Sequence, residues 1–379
     1  MALMKEMLGW LESYLSSRFQ CVSIDGSLSK LQHVKHGVPQ GSILGPLLYI
    51  LYTNELPEVI HDGCQEGVHE ESWPHFTMFC KSCGSIGCYA DDTTYTCSGS
   101  DCAALSDQLT EKFEVISDFL ISNKLKLNDD KTHLMVMTTS QARAKRRGTN
   151  KDTSNVEIRT PSKIIKPSEC EKLLGCWLHQ NMKFAENILD NSESMLRSLN
   201  TRIGALKLLG KVAGFRTRRM IADGIFMSKL IYLIALWWGG CAKYLTEALQ
   251  RAQNRAARVV TKLDWSTPTA ELLKQCGWLS VHQLVVYHSV VQVYKVIQKE
   301  SPKFLFSMFS ANYKHKTKQA QSGALKHNRN LRLNLTESSF RWRAAQSYDE
   351  LPLKTKNLKT LKEFKTATRK WVMENTPLA

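Results

Sequence analysis

A chain of 379 residues with 43% hydrophobic content is long enough for two or three domains, each with its own core, and 51 Lys/Arg against 35 Asp/Glu leave it at +16. The charge is uneven: residues 1–184 hold 19 basic and 22 acidic side chains and residues 185–379 hold 32 and 13, so a polyanion would dock on the second half. Eleven scattered cysteines, several in apolar runs (Cys176 beside Trp177, Cys241 after Gly240), argue against a disulfide scaffold and for a reduced intracellular chain, in nucleus or cytoplasm. No signal peptide is visible. The most apolar stretch, Leu230 to Trp238, is shorter than the roughly 20 residues a bilayer requires, so a soluble chain with no membrane partner is expected.

The first fifteen residues predict an amphipathic helix, with Leu3, Met7, Trp10 and Leu11 on one face and Glu6 and Glu12 off it. Cys21 to Lys35 reads as a hairpin turning at Asp25-Gly26. A Gly/Pro loop follows, then an apolar helix from Leu44 to about Leu56 that Pro57 ends. Residues 61–79 read as a polar, acidic inserted loop, and 86–97 as strand, tight acidic turn, strand. Ser106 to Asn123 is a helix by the spacing of Leu109, Phe113, Ile116 and Leu120, and Leu125 to Met137 enters a strand through Asn128-Asp129-Asp130. The segment 139–155 (Arg143, Lys145, Arg146, Arg147, Lys151) reads as a mobile basic loop, and 170–184 as another hairpin. From about 186 the pattern is helical, with 331–335 the one candidate strand and 301–340 a polar, basic linker. The expected division is an α+β unit over 1–184, a helical domain over 185–300 and a basic C-terminal region over 301–379.

Chemistry concentrates at Tyr89-Ala90-Asp91-Asp92. Two adjacent carboxylates at a hairpin tip can face hard divalent cations, and a two-metal phosphoryl-transfer site holds its ions about 3.5–4 Å apart. Asp-Asp is equally ordinary turn chemistry. Upstream, Gly37-Val38-Pro39-Gln40-Gly41-Ser42-Ile43-Leu44-Gly45-Pro46 forms a loop opening into a helix, where backbone N–H groups can approach a phosphate or a base. Cys80-x₂-Cys83 has the spacing of half a zinc site, with Cys64, His69, His75 and Cys88 as candidates to complete it. In 245–262, Leu245, Leu249, Ala252, Ala256 and Val259 share one helical face, while Arg251, Arg255, Arg258 and Lys262 form a basic stripe. Lys211, Arg216, Arg218 and Arg219 make a second basic cluster; both suit phosphates, and both are also compatible with a solvated face. Trp237, Trp238, Trp265 and Trp278 lie in apolar runs and read as core.

Taken together, the Pro-Gln-Gly-Ser-Ile-Leu-Gly-Pro run and Tyr-Ala-Asp-Asp resemble the non-LTR (LINE-like) retrotransposon reverse transcriptases. The resemblance extends through Trp10 to Leu15, NKLKLNDDKT (123–132), Leu173 to Leu178, Gln253 to Arg258, Gly277 to Val281 and Phe340 to Ala344. It implies an α+β fold: a partial polymerase palm, an antiparallel sheet with packed helices, followed by a mainly helical thumb and C-terminal region. It further implies an RNA-directed DNA polymerase, a nucleotidyltransferase, with Asp91 and Asp92 as catalytic Mg²⁺ ligands and Lys131 as general acid for the departing pyrophosphate. Gly37, Pro39, Gln40, Gly41, Ser42 and Tyr89 would face nucleotide or template, and 170–184 would be the primer-grip hairpin. The implied partners are an RNA template and DNA primer, or an RNA–DNA hybrid.

Two departures stand out. His179 occupies a position where the family often has an acidic residue. The family's further metal-binding aspartate, on a strand before the first helix, has no counterpart: no Asp precedes Asp25, which sits in a predicted turn. The fingers and an endonuclease domain have none either. The Mg²⁺ site is therefore expected to be incomplete and the chain, a truncated polymerase, to be inactive alone. The second reading is a non-catalytic remnant that holds RNA or RNA–DNA hybrid.

Overall fold

Tight turns set the strands of the N-terminal half. The structure, a computed structural model, describes residues 2–39, 41–61, 67–68, 77–80, 84–149, 151–189, 193–298, 305–306, 309, 325 and 339–378. Helix α1 (Ala2–Leu15) leads into β1 (Arg18–Gln20), β2 (Ser23–Ile24), β3 (Ser27–Leu28) and β4 (Gln32–Val34). Ile24 pairs with Ser27 across Asp25-Gly26, and β1 pairs antiparallel with β4. Both turn residues take positive φ (48° and 82°), the conformation whose twist matches a right-handed hairpin. The expected hairpin is present.

The following helix is shorter than its apolar run suggests. α2 (Leu44–Tyr52) stops before a turn, and α3 (Leu56–Ile60) begins there with Pro57 in its first turn. Pro57 therefore opens a helix, because its missing N–H costs nothing at a helix start. Within 61–79, expected to be loop, the described residues include β5 (Gly67–Val68) and the start of β6 (Thr77–Cys80), which join β7 (Gly84–Tyr89) and β8 (Asp92–Thr96) in an antiparallel sheet of order β5-β6-β7-β8. Helix α4 (Cys102–Ser122) starts four residues earlier than its apolar spacing indicates because Asp101 caps it, accepting from Ala103 N at 3.0 Å. Leu56, Ile60, Ile86 and Phe119 bury one small core between α3, β7 and α4.

Leu125 to Met137 does not make a strand. It holds a 3₁₀ turn, Asp129–Lys131, and a single parallel bridge from Leu134 to Pro167. The 139–155 segment carries helix where a loop was expected: Thr139 caps α5 (Ser140–Arg146), and a 3₁₀ turn lies at Thr153–Asn155. Arg143 fixes α5 by donating to Asn181 Oδ1 (2.5 Å) and to the carbonyls of Val136 (3.2 Å) and Gln180 (3.5 Å). β9 (Ile158–Arg159) pairs with β10 (Ile164–Ile165), and β11 (Cys170–Leu173) with β12 (Cys176–His179) around Leu174-Gly175, again with both turn residues at positive φ. This mixture of helices and small antiparallel sheets is an α+β arrangement.

Beyond it the described residues are helical: α6 (Ala185–Ile188), α7 (Met195–Leu209), α8 (Phe215–Ala222), a π turn (Asp223–Met227), α9 (Ser228–Ile231), α10 (Ile234–Trp237), α11 (Lys243–Thr261), α12 (Thr269–Cys276) and α13 (Val281–Ile297). A π turn loosens the regular hydrogen-bond ladder, and Arg202 donates to Ile225 O inside it at 2.6 Å. Leu199, Phe226, Leu230, Trp237, Leu249 and Leu284 belong to one large buried core. On α11 the buried face includes Leu245, Leu249, Ala252, Ala256 and Val260; Val259, expected there, is only half-buried. The helical stretch Phe215–Gly240 is long and apolar enough, by length and composition, to cross a membrane, unlike Leu230 to Trp238 taken alone. Phe226, Leu230, Ile234 and Trp237 of that stretch are packed into the helical core.

Three C-terminal helices, α14 (Phe340–Asp349), α15 (Leu353–Lys356) and α16 (Leu361–Asn375), complete the described fold. α14 and α16 pack on α13, with Tyr294 stacked on Phe364 at 3.8 Å and Tyr348 buried beside them. Nearly all of the expected linker over 301–340, including the candidate strand 331–335, lies outside the described residues.

Candidate functional site

The acidic tip is built by the β7–β8 register. Cys88 pairs with Thr93 and Tyr89 with Asp92, leaving Ala90-Asp91 as a two-residue turn. Ala90 takes a positive φ of 52°, so the turn holds its shape at some backbone cost. Tyr89, Asp91 and Asp92 are all exposed at this tip.

Helix α2 feels its charge. Tyr49 is half-buried, and its phenol is raised above the ordinary value first by burial, then by the Asp91 and Cys88 charges, which places Asp91 within electrostatic reach of α2. Burial likewise raises the Cys88 thiol, opposed by a hydrogen bond with Thr93. Tyr52 ties the far end of α2 to α4 by donating to Asn123 O at 2.6 Å. Nothing in the apolar run 44–56 singled out Tyr49; only the packed position of α2 does.

The loop entering α2 is shaped as its glycines suggest. Gly37 and Gly41 take φ near +80°, Ser42 Oγ accepts from Gly45 N at 3.0 Å, and Arg18 donates to Gly37 O at 2.5 Å. Gly37, Pro39, Gly41 and Ser42 therefore stand at the mouth of α2, whereas Gln40 lies outside the described residues. Lys131 is exposed on its own 3₁₀ turn, where Asn128 Oδ1 accepts from Asp130 N at 3.1 Å and Lys163 pairs with Asp130 at 3.3 Å.

Two adjacent carboxylates do not make a two-metal donor set. Among the described residues no group of three or more His, Cys, Asp or Glu side chains is placed to hold a metal ion, and Asp25 sits in its own hairpin turn. The described residues therefore do not by themselves supply the donor set for a pair of Mg²⁺ ions. The zinc candidates fall largely beyond view: Cys64, His69, His75 and Cys83, and the side chain of Cys80, lie outside the described residues.

The β11–β12 hairpin abuts the helical half. Tyr232 donates to Leu174 O at 2.5 Å at the hairpin tip. Lys172 pairs with Glu193, and His179 approaches Glu186 at 3.7 Å while its Nδ1 accepts from Asn181 N.

The basic stripe on α11 lies beside α7. Arg251, Arg255 and Arg258, with Asn200, Asn254 and Trp265, line a cavity of about 510 Å³ floored by Leu189, Leu196 and Ala248. Lys262 is exposed at the helix end, in the left-handed conformation. Of the second cluster, Lys211 and Arg216 are exposed, and Arg219 is half-buried and pairs with Asp223 at 3.8 Å. Arg218 is buried, donating to Val260 O at 2.8 Å and Ala213 O at 2.6 Å, so it ties α8 to the end of α11 instead of facing solvent. Trp237 and Trp278 are core, as expected, and Trp238 packs on His282 at the core's edge. Trp265 is not core: it is 75% exposed on the α11–α12 loop.

Residues 2–178 match the family described as reverse transcriptase (RNA-dependent DNA polymerase). The chain is 23% identical over 281 residues to the probable RNA-directed DNA polymerase from transposon X-element of Drosophila melanogaster, covering 74% of this chain and 28% of that protein. Its identity to the probable RNA-directed DNA polymerase from transposon BS of the same organism is 26% over 283 residues, with the same coverage. To the RNA-directed DNA polymerase from mobile element jockey it is 22% over 262 residues, 69% of this chain and 26% of that protein. The chain thus spans about a quarter of the length of these curated relatives. No solved structure matches it.

Proposed function

Residues 2–178 belong to the reverse transcriptases, of the non-LTR retrotransposon kind, and from that premise we propose that this chain is the palm and thumb portion of an RNA-directed DNA polymerase. The observation that carries the reading is the acidic hairpin tip Asp91–Asp92, within electrostatic reach of Tyr49 on α2, with the Gly-rich loop at that helix's mouth. In it, Asp91 and Asp92 are metal-facing carboxylates, the 37–42 loop and Tyr89 line the nucleotide and template side, and Lys131 protonates the leaving pyrophosphate. The β11–β12 hairpin supports the primer end, and the basic helices hold the RNA–DNA hybrid.

Bound Mg²⁺ would supply charge neutralisation for phosphoryl transfer. Among the described residues the tip brings only two carboxylates together, and on this reading residues 1–379 alone do not extend a primer. A primer-extension assay with RNA template, labelled DNA primer, Mg²⁺ and dNTPs tests this. The expected result is no extended product, and extension that Asp91→Ala abolishes overturns the inactivity.

A second reading, a non-catalytic holder of RNA or RNA–DNA hybrid, draws support from the excess charge of residues 185–379 and the arginine-lined groove. Phosphate docking releases counterions, so binding is expected to weaken steeply with salt. Filter binding across a salt series reads this directly; affinity indifferent to salt rules out docking through these arginines.

A further inference from the structure

We propose that the groove between α7 and α11 is a single-stranded nucleic-acid site, in which an unpaired base stacks on Trp265 and the flanking phosphates meet Arg251 and Arg255. The proposal rests on reading the α11 stripe as phosphate-facing and goes beyond it by assigning an unpaired base as the ligand.

The groove's chemistry is divided. Its floor, from Leu196 and Ala248, is apolar, and its rim is cationic. A volume of about 510 Å³ lies within the roughly 300–1,000 Å³ of sites that take small ligands. A nucleotide has the matching halves, a flat apolar ring and an anion beside it.

The rim charge is available. Arg255 donates to the neutral Asn200 Oδ1 at 2.7 Å, and neither Arg255 nor Arg258 has a carboxylate within 4.0 Å among the described residues. Arg251 has only the exposed Glu247 at 3.8 Å, a contact too screened to cancel its field.

Trp265 is held as a platform. The residue is 75% exposed, yet the Arg258 guanidinium lies 4.4 Å from the ring centroid and also donates to Trp265 O at 3.0 Å. One arginine therefore backs the ring and pins its backbone, which lowers the ordering cost of laying a base on it. Asp264 stiffens the same loop by accepting from Ser266 N at 3.0 Å and from its hydroxyl at 3.1 Å. A duplex keeps its base faces stacked inside, so a solvent-facing aromatic beside arginines fits an unstacked strand. An acidic peptide would use the rim but leave the ring and floor without a planar partner.

Fluorescence anisotropy with the full chain tests this, using a labelled single-stranded RNA of roughly 12 nucleotides and the same RNA annealed to DNA. Trp265→Ala is expected to weaken single-strand binding by about 10-fold and to lower the ratio of single-strand to hybrid affinity, with Trp265→Phe restoring most of both. Arg251→Glu with Arg255→Glu is expected to weaken both ligands. If the double charge reversal weakens both while Trp265→Ala leaves the ratio unchanged, the stacking site is wrong and the phosphate-facing stripe stands. If the charge reversal changes neither ligand, both fall. Poly-glutamate displacing the RNA as well as unlabelled strand of equal charge also overturns the proposal, in favour of an acidic protein partner. Trp265 is a surface residue, and unchanged thermal melts separate lost stacking from lost fold.

Discussion

The N-terminal hairpin and the helical half of this chain solve the same problem in opposite ways. In the helical half, Phe226, Leu230, Trp237 and Leu249 are sealed in one core. In the hairpin, Phe19, Val22, Ile24, Leu28 and Leu31 all face solvent, as do Met7 and Trp10 of α1. Backbone pairing and turn chemistry, with local side-chain contacts such as Phe19 on His33, shape the hairpin whether or not a core lies beneath. Apolar burial shapes the helical half, and that term dominates folding free energy. Stability and shape are thus separable here: the strands nearest the Gly-rich loop are specified but weakly anchored, while the basic helices are anchored deeply.

Point substitutions can break that contrast. Phe226→Ala is expected to cost about 3–5 kcal/mol in urea unfolding, and a cost below about 1 kcal/mol would mean the helical core is not the main source of stability. Next comes pH. Burial, then the nearby Lys365 charge, lower His288 from its ordinary 6.5 to about 4. The unfolded chain binds that proton first, so stability is full above pH 6.5 and falls as pH drops toward 4, by up to about 3 kcal/mol. Across that window the stability difference between wild type and His288→Gln, read from thermal melts, should shift against wild type as pH falls, because Gln carries no such proton-linked loss; parallel curves would remove His288 from the account. Smaller still, Tyr232→Phe deletes the bond to Leu174 O and should cost about 1 kcal/mol, seen as faster hydrogen exchange in β11 and β12. Last, Ile24→Ala is expected to cost under about 0.5 kcal/mol; a larger loss would show that the hairpin is covered after all.

Local chemistry was readable and long-range partners were not. Asp25-Gly26 marks its turn because so few residue pairs suit it, whereas Asp91-Asp92 marks the hairpin tip but not its register, since the turn residues are Ala90 and Asp91. The helical spacing of Leu109, Phe113, Ile116 and Leu120 marks α4, though the capping role of Asp101 set its true start. Pro57 reads equally as a stop or a start, and only the chain direction after Tyr52 decides. The 139–155 segment is polar, so nothing local shows that Arg143 will find Asn181 and two carbonyls. Arg218 misleads in the same way: a guanidinium on a helix suggests solvent, yet its acceptors are Val260 and Ala213. Trp265 misleads in reverse, because a large aromatic suggests core while its polar loop, with Asp264, Ser266 and Thr267 beside it, holds it out. For the candidate site, the acidic tip and Gly-rich loop are plain from sequence; Tyr49 and the α7–α11 groove exist only once helices pack.

The π turn has a consequence for chain length. Arg218, Ala222, Phe226, Leu230 and Ile234 are all buried at a strict interval of four. An α-helix advances 100° per residue, so each such step overshoots a full revolution by about 40° and the fifth position would sit about 160° from the first. The wider turn at Asp223–Met227 and the left-handed Leu233 take up that overshoot, acting as a vernier between two stretches of ordinary helix. Deleting one residue from Asp223–Met227 would close the wider turn to ordinary helix and rotate Leu230 by about 100° relative to α8. Here the count of residues, more than their identity, keeps the bundle in phase.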